Sequence, residues 1–515
     1  MPDATMYFVG DAPEAGGFGP ALDALAPRFE VVGSATRDVV RTWLDTDDWL
    51  LHKADLVLEQ HESSDGIRLI LQSAGDSDRT QAVHQIAWPA RIEALPHGPV
   101  RSRIADVVGI RALLPTTILT SRHQDLRVLN EDQKTVVRIV IETSVAVDGT
   151  RLADQLAVTA VRGYQDRAQR VAARLATMPG LSAVQDSVYE RALSAAGRAF
   201  GDDVPEPAQL TESMPASNAV VAVLHGFLFT VERTLGGVLA DIDPEFLHDF
   251  RVAVRRSRST LKLTGDVLES AAAEQLGRDL KWLGDLTSPT RDLDVYILGL
   301  PDMAAGLQSA QPADLEPFRR YLLSQRRTEF RRLVRALRSA RFRNALEHWR
   351  ALGLLAEPPD PGHELSAGEL AGQRLGKAQR QVTKRGRSIG ADSAPEVLHD
   401  LRKRCKELRY LLEIFRPLHD PATHRTALKD LKGLQEVLGE FQDAEVQSLA
   451  VREFAATMIS TRSAPAPTVL AMGELAAQLS AHQRHARTEF AASFATFDSA
   501  ESRARFRELA SGSSP

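Results

Sequence analysis

Residues 245–262 read EFLHDFRVAVRRSRSTLK, and a closely related stretch, EVLHDLRKRCKELRYLL, returns at residues 396–412. The two stretches align without a gap at a constant offset of 151 residues, which places His248 on His399. The match continues downstream, where Asp292 falls on Asp443. Two ungapped matches of about fifty residues exceed what chance periodicity supplies, so the sequence predicts two copies of one helical unit.

The basic residues of each stretch fall on one face of a predicted helix. At about 100° per residue, positions spaced three, four and three residues apart stay within roughly 80° of the helix circumference. Apolar residues lie beside this stripe, so each helix is expected to bury one face and present a cationic one. The stripe contains His248, Arg251, Arg255, Arg258 and Lys262 in the first copy and His399, Arg402, Lys406 and Arg409 in the second.

A cationic stripe has two interpretations. Most arginine-rich helix faces are solvated or paired with Asp and Glu, and Asp249, Asp292, Asp294, Asp400 and Asp443 are available for pairing. Like charges at these spacings repel each other, so the alternative is a polyanion as ligand. The duplication favours the ligand, because two stripes facing each other across a cleft would sum their fields.

Composition limits the function classes without choosing among them. The 515 residues include 63 Lys plus Arg and 68 Asp plus Glu, so net charge gives no indication of a polyanionic partner. Cys405 is the only cysteine, which excludes internal disulfides and a cysteine-based zinc site. No secretory signal is evident, and the longest apolar stretch, residues 219–231, is too short for a bilayer. We expect a cytoplasmic protein that does not enter membranes and has no cofactor, and the sequence leaves its protein partners open.

The chain divides by pattern into a strand-rich part and a helical part. Residues 1–150 show β-branched runs with period-two alternation, and residues 151–217 are predicted to be a helical connector ending in an acidic linker. Residues 218–515 are helix-patterned, with repeat halves at about 218–352 and 366–510. Ser288 and Pro289 are expected to interrupt a helix of the first half.

A second basic region follows the first stripe. Residues 318–343 are predicted to form one helix with ten arginines and a single acid, Glu329. Arg320, Arg327 and Arg331 share one face of it. A solvated face is the ordinary explanation, but neither side-chain pairing nor solubility requires such an excess of arginine.

The segment WLDTDDWLLHKADLVL at residues 43–58 resembles the CYTH family of tunnel-shaped β-barrels, which includes triphosphatases and class IV adenylate cyclases. The family signature, Glu-x-Glu-x-Lys on the first strand, supplies metal-binding carboxylates and a phosphate-binding lysine. This chain has MYFVGDAPE at that place. This departure from the family signature predicts a degenerate, non-catalytic barrel. Arg122, Arg127 and Arg138 are then surface arginines, and the alternative is that they line the tunnel.

The motifs HDFRVAVRRSR and HDLRKRCKELRY, followed by DLKWL, DLKGLQEVLG, RDLDV and FQDAEV, resemble the CHAD domain, the conserved-histidine α-helical domain. The resemblance implies two pseudo-symmetric four-helix bundles, a groove or pore lined by basic residues, and binding of inorganic polyphosphate. Lys281 and Lys432 are expected to face the same groove. The second copy departs by carrying Glu407 where the first has Arg256, and an acid where the first has Lys262, which predicts a weaker second stripe.

We therefore predict an α+β multidomain protein that binds polyphosphate through its helical domain and is recruited to polyphosphate granules. One alternative is a tripolyphosphatase or polyphosphatase that acts in the barrel. Another is nucleic-acid binding by the stripes. The low aromatic content of 6% and the lack of a recognisable reading motif disfavour nucleic acid.

Overall fold

A computed structural model describes residues 5–10, 18, 23, 25–73, 78–178, 180–201, 208–353, 365–390 and 392–511. The chain folds as two units, Met1–Val204 and Pro205–Pro515. The first is built on a β-sheet and the second is helical, which confirms the predicted α+β fold class. Most of the predicted second linker, residues 353–369, lies outside the described residues.

The first unit contains an eleven-stranded antiparallel sheet. Its strands are β1 Met6–Gly10, β2 Glu30–Gly33, β3 Arg37–Asp45, β4 Leu56–Ser63, β5 Gly66–Ser73, β6 Arg79–Val83, β7 Ala90–Arg91, β8 Ala112–Leu129, β9 Thr135–Ala146, β10 Asp154–Ala160 and β11 Leu181–Val184. The hydrogen-bonded order is β11-β1-β10-β9-β8-β3-β4-β5-β6, and β2 and β7 also pair with β8. Its helices are α1 Leu50–Lys53, α2 Pro99–Val108, α3 Gln165–Leu175 and α4 Val188–Ala195.

The sheet extends beyond residue 150, where the barrel was predicted to end. Strand β10 pairs with β1 and β9, and β11 pairs with β1. Leu156 and Val158 of β10 are fully buried and belong to the core beneath the sheet. The segment predicted as a helical connector therefore contributes two strands and two helices, and the unit ends at Val204.

The second unit contains ten helices among the described residues. They are α5 Ala216–Ala240, α6 Pro244–Thr264, α7 Ser270–Ala305, α8 Glu316–Leu337, α9 Ala340–Arg350, α10 Ala367–Arg387, α11 Pro395–Ile414, α12 Pro421–Ser460, α13 Ala466–Phe497 and α14 Ala500–Ser511. The first residues of α10, α11 and α12 lie 151 positions after those of α5, α6 and α7, as the sequence repeat requires. Each half therefore has four longer helices and a short fifth one.

A reciprocal pair of hydrogen bonds relates the two halves. The amide of Ala216 donates to the carbonyl of Leu365 at 2.9 Å, and the amide of Ala367 donates to the carbonyl of Met214 at 2.7 Å. Each bond becomes the other when the residue numbers are exchanged by 151 positions. A pseudo-twofold axis therefore passes between the starts of α5 and α10.

Two sequence-based expectations about helix breaks were wrong. Pro289 does not interrupt the first repeat, because α7 continues through it. Leu283, Thr287 and Thr290 are buried on that helix, so tertiary packing outweighs the backbone hydrogen bond that a proline removes. Conversely, the helix predicted over residues 318–343 is divided into α8 and α9, because the Ser339 side chain caps a new helix by accepting a hydrogen bond from the Phe342 amide.

The two halves also share a core. Leu293 and Tyr296 of α7 pack in one cluster with Val451 and Met458 of α12 and with residues of α8 and α13. Helix α5 is the one helix among the described residues with the length and hydropathy of a membrane span, and 39% of its most apolar window is buried. It packs against α6 within the first half, as core helices of bundles do.

Candidate functional site

The two basic helices, α6 and α11, pack against each other across the pseudo-twofold axis. Helix α6 begins as the sequence predicts, because Asp243 caps it through the amides of Glu245 and Phe246 and proline occupies its first position. Phe250 and Leu401 are fully buried beneath the stripes. Burial of these apolar faces holds the two basic faces next to each other.

One arginine of each stripe is held by an aspartate of the following helix. Arg251 lies 3.9 Å from Asp292, and Arg402 lies 2.8 Å from Asp443. Both arginines are mostly buried, with side-chain exposures of 21% and 18%, whereas both aspartates are more than 60% exposed. The repeat therefore places the same buried arginine and exposed aspartate on each side of the axis.

Arg255 and Lys406 occupy equivalent positions in the two repeats, and their surroundings differ from those of Arg251 and Arg402. Among the residues that the structure describes, no carboxylate lies within ion-pair distance of either side chain. Burial, together with the fields of Arg402 and Arg255, lowers the pKa of Lys406 from 10.5 to about 8. Cations from both repeats thus repel one another at the junction of α6 and α11, where a bound anion would relieve the repulsion.

Two ion pairs explain how the second copy departs from the first. Lys262 of the first repeat contacts Glu407 of the second at 2.6 Å, and Arg256 contacts Glu413 at 2.9 Å. Positions 256 and 407 are equivalent, as are 262 and 413, so the pseudo-twofold axis relates the two ion pairs. In each pair the first repeat supplies the cation and the second repeat supplies the carboxylate. Lys262, predicted as a ligand contact, thus lies in an ion pair that links the repeats.

A groove with a cavity of about 460 Å³ lies between α11, α12 and α13. Arg402, Lys406 and Arg409 of the predicted site line it. The structure thus brings three predicted residues of the second stripe to one concave surface, and Arg255 lies close enough to influence the nearest lysine. Arg258, the counterpart of Arg409, is exposed and has no ion-pair partner among the described residues.

His248 and His399, the histidines of the two repeated motifs, differ in their neighbours. His399 Nδ1 lies 2.5 Å from the side-chain oxygen of Gln442, which orients the ring. The counterpart of Gln442 is Arg291, and burial together with that arginine lowers the pKa of His248. His248 is therefore neutral at pH 7 in the free protein, and it becomes easier to protonate once an anion is bound.

The remaining predicted residues, including the two lysines expected to face the groove, do not line its cavity. Lys281 and Lys432 are exposed, and Lys432 lies 3.6 Å from Glu436. Helix α8 packs mainly against α7, and its predicted residues, Arg320, Arg327 and Arg331, are exposed. Its one mostly buried arginine, Arg326, is held by two aspartates in a structural ion-pair network.

Sequence reasoning missed several residues that line the groove. Both side-chain amide atoms of Gln435 are buried and have no hydrogen-bond partner among the described residues, and Glu440 and His482 lie 3.9 Å apart nearby. The repeat could not reveal Gln435, because its counterpart in the first copy is Gly284. Only the approach of α13 to α11 and α12 identifies these groups.

The interior of the first unit contains a separate charged cluster. The Arg41 guanidinium contacts Glu59 and lies 2.7 Å from both carboxylate oxygens of Glu142. His61 Nε2 lies 2.5 Å from Glu59, and His123 Nε2 lies 3.3 Å from Glu142. Burial alone would raise the pKa of Glu142, but Arg41 and His123 outweigh it and hold that pKa well below its usual range.

The sequence did not single out this cluster. Arg122, Arg127 and Arg138 are exposed, as predicted, so the interior cation is Arg41 instead. Within the described ranges, no three side chains of His, Cys, Asp or Glu converge as metal ligands. Glu59 and Glu142 instead form ion pairs with the guanidinium of Arg41.

The CHAD domain family model matches residues 222–452. The chain contains a CHAD domain. The helical part is similar to the structure of the CHAD domain from the plant Ricinus communis, with 28% identity over 55% of this chain and 96% of that one and a TM-score of 0.44. It is also similar to PptA from Streptomyces chartreusis, with 18% identity over 54% of this chain and 99% of that one and a TM-score of 0.43.

The N-terminal β-rich unit resembles CYTH-like folds. A putative adenylyl cyclase from Hippeastrum, whose dominant activity is described as that of a triphosphatase, has 13% identity over 38% of this chain and 96% of its own, with a TM-score of 0.29. No curated protein matches the chain in sequence.

Proposed function

We propose that the CHAD domain binds inorganic polyphosphate at the junction of α6, α11 and the adjacent groove. The observation that carries the proposal is Lys406, a mostly buried lysine whose pKa is lowered to about 8 because burial and the fields of Arg402 and Arg255 outweigh that of Asp443. A structural ion pair would have the opposite effect, because an opposite charge favours the charged form of a lysine. A polyanion supplies the missing negative charge.

The groups at this site suit phosphate oxygens. Arginine can donate two parallel hydrogen bonds to one phosphate and stays charged at every cellular pH, whereas lysine acts as a point charge. Arg251, Arg255, Arg402, Lys406 and Arg409 supply both kinds of contact. The unpartnered amide of Gln435 offers a further donor to an oxygen atom.

The groove favours polyphosphate over single-stranded nucleic acid. None of the twelve residues that line the cavity is Phe, Tyr or Trp. Proteins that bind single strands stack bases on aromatic rings, with about 1–3 kcal/mol for each base. A ligand that consists of phosphate alone has no use for such rings. We further propose that this site recruits the protein to polyphosphate granules.

A titration of the full chain tests the proposal. Long-chain polyphosphate and single-stranded DNA of equal charge are compared at several salt concentrations, because both affinities should fall steeply as salt rises. We expect polyphosphate to bind much more tightly at every concentration. Arg255→Ala combined with Lys406→Ala should weaken polyphosphate binding by about 100-fold or more, since each lost charged hydrogen bond contributes about 1.5–3 kcal/mol.

A control with the same change in charge is Lys384→Ala combined with Arg452→Ala, two exposed cations of the helical unit. This variant should bind polyphosphate within about three-fold of the wild type, because surface charges contribute little. Equal affinity for both ligands, or equal losses in both double variants, would contradict the proposal and leave only general electrostatic attraction.

A further inference from the structure

The groove beside α11 has two walls of opposite charge. Arg402, Lys406 and Arg409 form one wall at intervals of four and three residues along α11. Glu436, Glu440 and Asp443 form the other at the same intervals along α12. Three carboxylates would repel the phosphates of a bare polyanion and would weaken its binding in this groove.

The walls do not neutralise each other. Arg402 and Asp443 are in contact at 2.8 Å, and this is the one ion pair between the α11 wall and the α12 wall among the described residues. Arg409 instead contacts Glu413 of its own helix, Glu436 lies 3.6 Å from the exposed Lys432 of its own helix, and Glu440 lies 3.9 Å from His482 of α13. Between the two walls remains the cavity of about 460 Å³, within the usual size of a ligand site.

We propose that this groove binds polyphosphate as its magnesium complex, with phosphate oxygens on the cationic wall and hydrated Mg²⁺ on the carboxylate wall. The inference rests on the proposed function and specifies the form of the ligand. Mg²⁺ keeps several of its waters and binds through one or two carboxylates together with phosphates, so it needs no cage of protein ligands. The absence of any three-ligand metal group in the described chain is compatible with this arrangement.

Gln435 gives independent support for a ligand in the groove. Both polar atoms of its side chain are buried, and within the described part of the chain neither has a hydrogen-bond partner, although the residue lines the cavity. An amide can donate to a phosphate oxygen and accept from a magnesium-bound water at the same time. A phosphate chain that carries hydrated Mg²⁺ can therefore bond to both atoms of the amide, whereas a bare phosphate chain offers only acceptors.

The test compares polyphosphate binding by the full chain at one ionic strength, with either Mg²⁺ or Na⁺ plus a chelator. We expect Mg²⁺ to tighten binding to the wild type by about ten-fold. Glu436→Gln combined with Glu440→Gln should bind more tightly than the wild type in the chelator, because repulsion is removed, and should lose the gain from Mg²⁺. Asp443 is left intact because it holds Arg402 in place.

The control is Glu453→Gln, an exposed acid of α12 that does not line the cavity, and it should behave as the wild type. If Mg²⁺ weakens binding to the same extent in the wild type and the double variant, the ion acts only by screening and the inference is wrong, while polyphosphate binding itself stands. If no protein binds polyphosphate in either buffer, the proposed function fails and this inference fails with it. Circular dichroism of each variant verifies that the helices remain folded.

Discussion

Replacing Lys406 by methionine should stabilise the free protein while weakening its binding of polyphosphate. The methionine keeps an unbranched apolar side chain of similar length but removes the charge. In the folded protein that charge is disfavoured by burial and by Arg402 and Arg255. Removing the charge therefore removes this repulsion from the folded protein.

The magnitude follows from the pKa of Lys406. Folding lowers it from 10.5 to about 8, and each pKa unit corresponds to about 1.4 kcal/mol. The full shift thus corresponds to about 3 kcal/mol at pH 7. Local rearrangement and water reduce this figure, so we expect a gain of about 1–3 kcal/mol in the free energy of unfolding of the helical unit, or roughly 2–6 °C in Tm.

The lowered pKa of Lys406 also predicts how the stability difference between the two proteins varies with pH. Between pH 8 and pH 10.5 the unfolded wild type binds more protons at Lys406 than the folded protein does, so wild-type stability rises with pH through this window. The advantage of the methionine variant should therefore be complete below pH 8 and shrink towards pH 10.5. Thermal unfolding of both proteins, followed by circular dichroism in matched buffers, measures the difference.

The same scans with saturating polyphosphate should reverse the order, because the ligand stabilises the protein that binds it more tightly. Lys403→Met is the control, since Lys403 is exposed on the same helix and its replacement should change stability by less than about 0.5 kcal/mol at any pH. A methionine variant at position 406 that is no more stable than the wild type at pH 7, or whose advantage does not change with pH, would refute the electrostatic argument.

Three further predictions concern the fold. Lys262→Glu should destabilise the helical unit by about 1 kcal/mol, and adding Glu407→Lys should restore the loss, as a double-mutant cycle by urea unfolding will show; independent effects of the two changes would contradict a direct pair. Phe250→Ala should lower the free energy of unfolding by about 3–5 kcal/mol, because the ring is fully buried, and a loss under 1 kcal/mol in the same assay would disprove its place in the core. Arg41→Met should destabilise the β-rich unit by about 3–5 kcal/mol by leaving buried carboxylates unpaired, and since the pKa of Glu142 is lowered, wild-type stability should fall as pH drops below the ordinary glutamate range, which acid titration of unfolding will measure.

Much of the helical unit could be predicted because the repeat is present in the amino-acid sequence itself. The constant offset of 151 residues fixes the equivalence of the helices, and helical periodicity then places Arg402, Lys406 and Arg409 on one face. These three residues do share a groove.

Strand β8, the longest of the sheet, could not be predicted in this way. Pro115 lies within it, and its buried positions include Ser121 and His123, so polar residues occupy both faces and hide the alternation. Their burial depends on Glu142 of a neighbouring strand. A pattern read along one strand cannot reveal a partner supplied by another.

The sequence by itself determined the duplication, the helical character of the second unit and the identity of the cationic stripes, because these depend on local order and periodicity along one chain. Tertiary structure alone decided which cations remain unpaired. Lys262 lies in an ion pair with Glu407, whereas Lys406 has no carboxylate within ion-pair distance among the described residues and is dominated by the fields of Arg402 and Arg255, although both lysines belong to similar stripes. The charge state and binding capacity of a side chain depend on distances between helices, and those distances are set by how α6, α11, α12 and α13 pack.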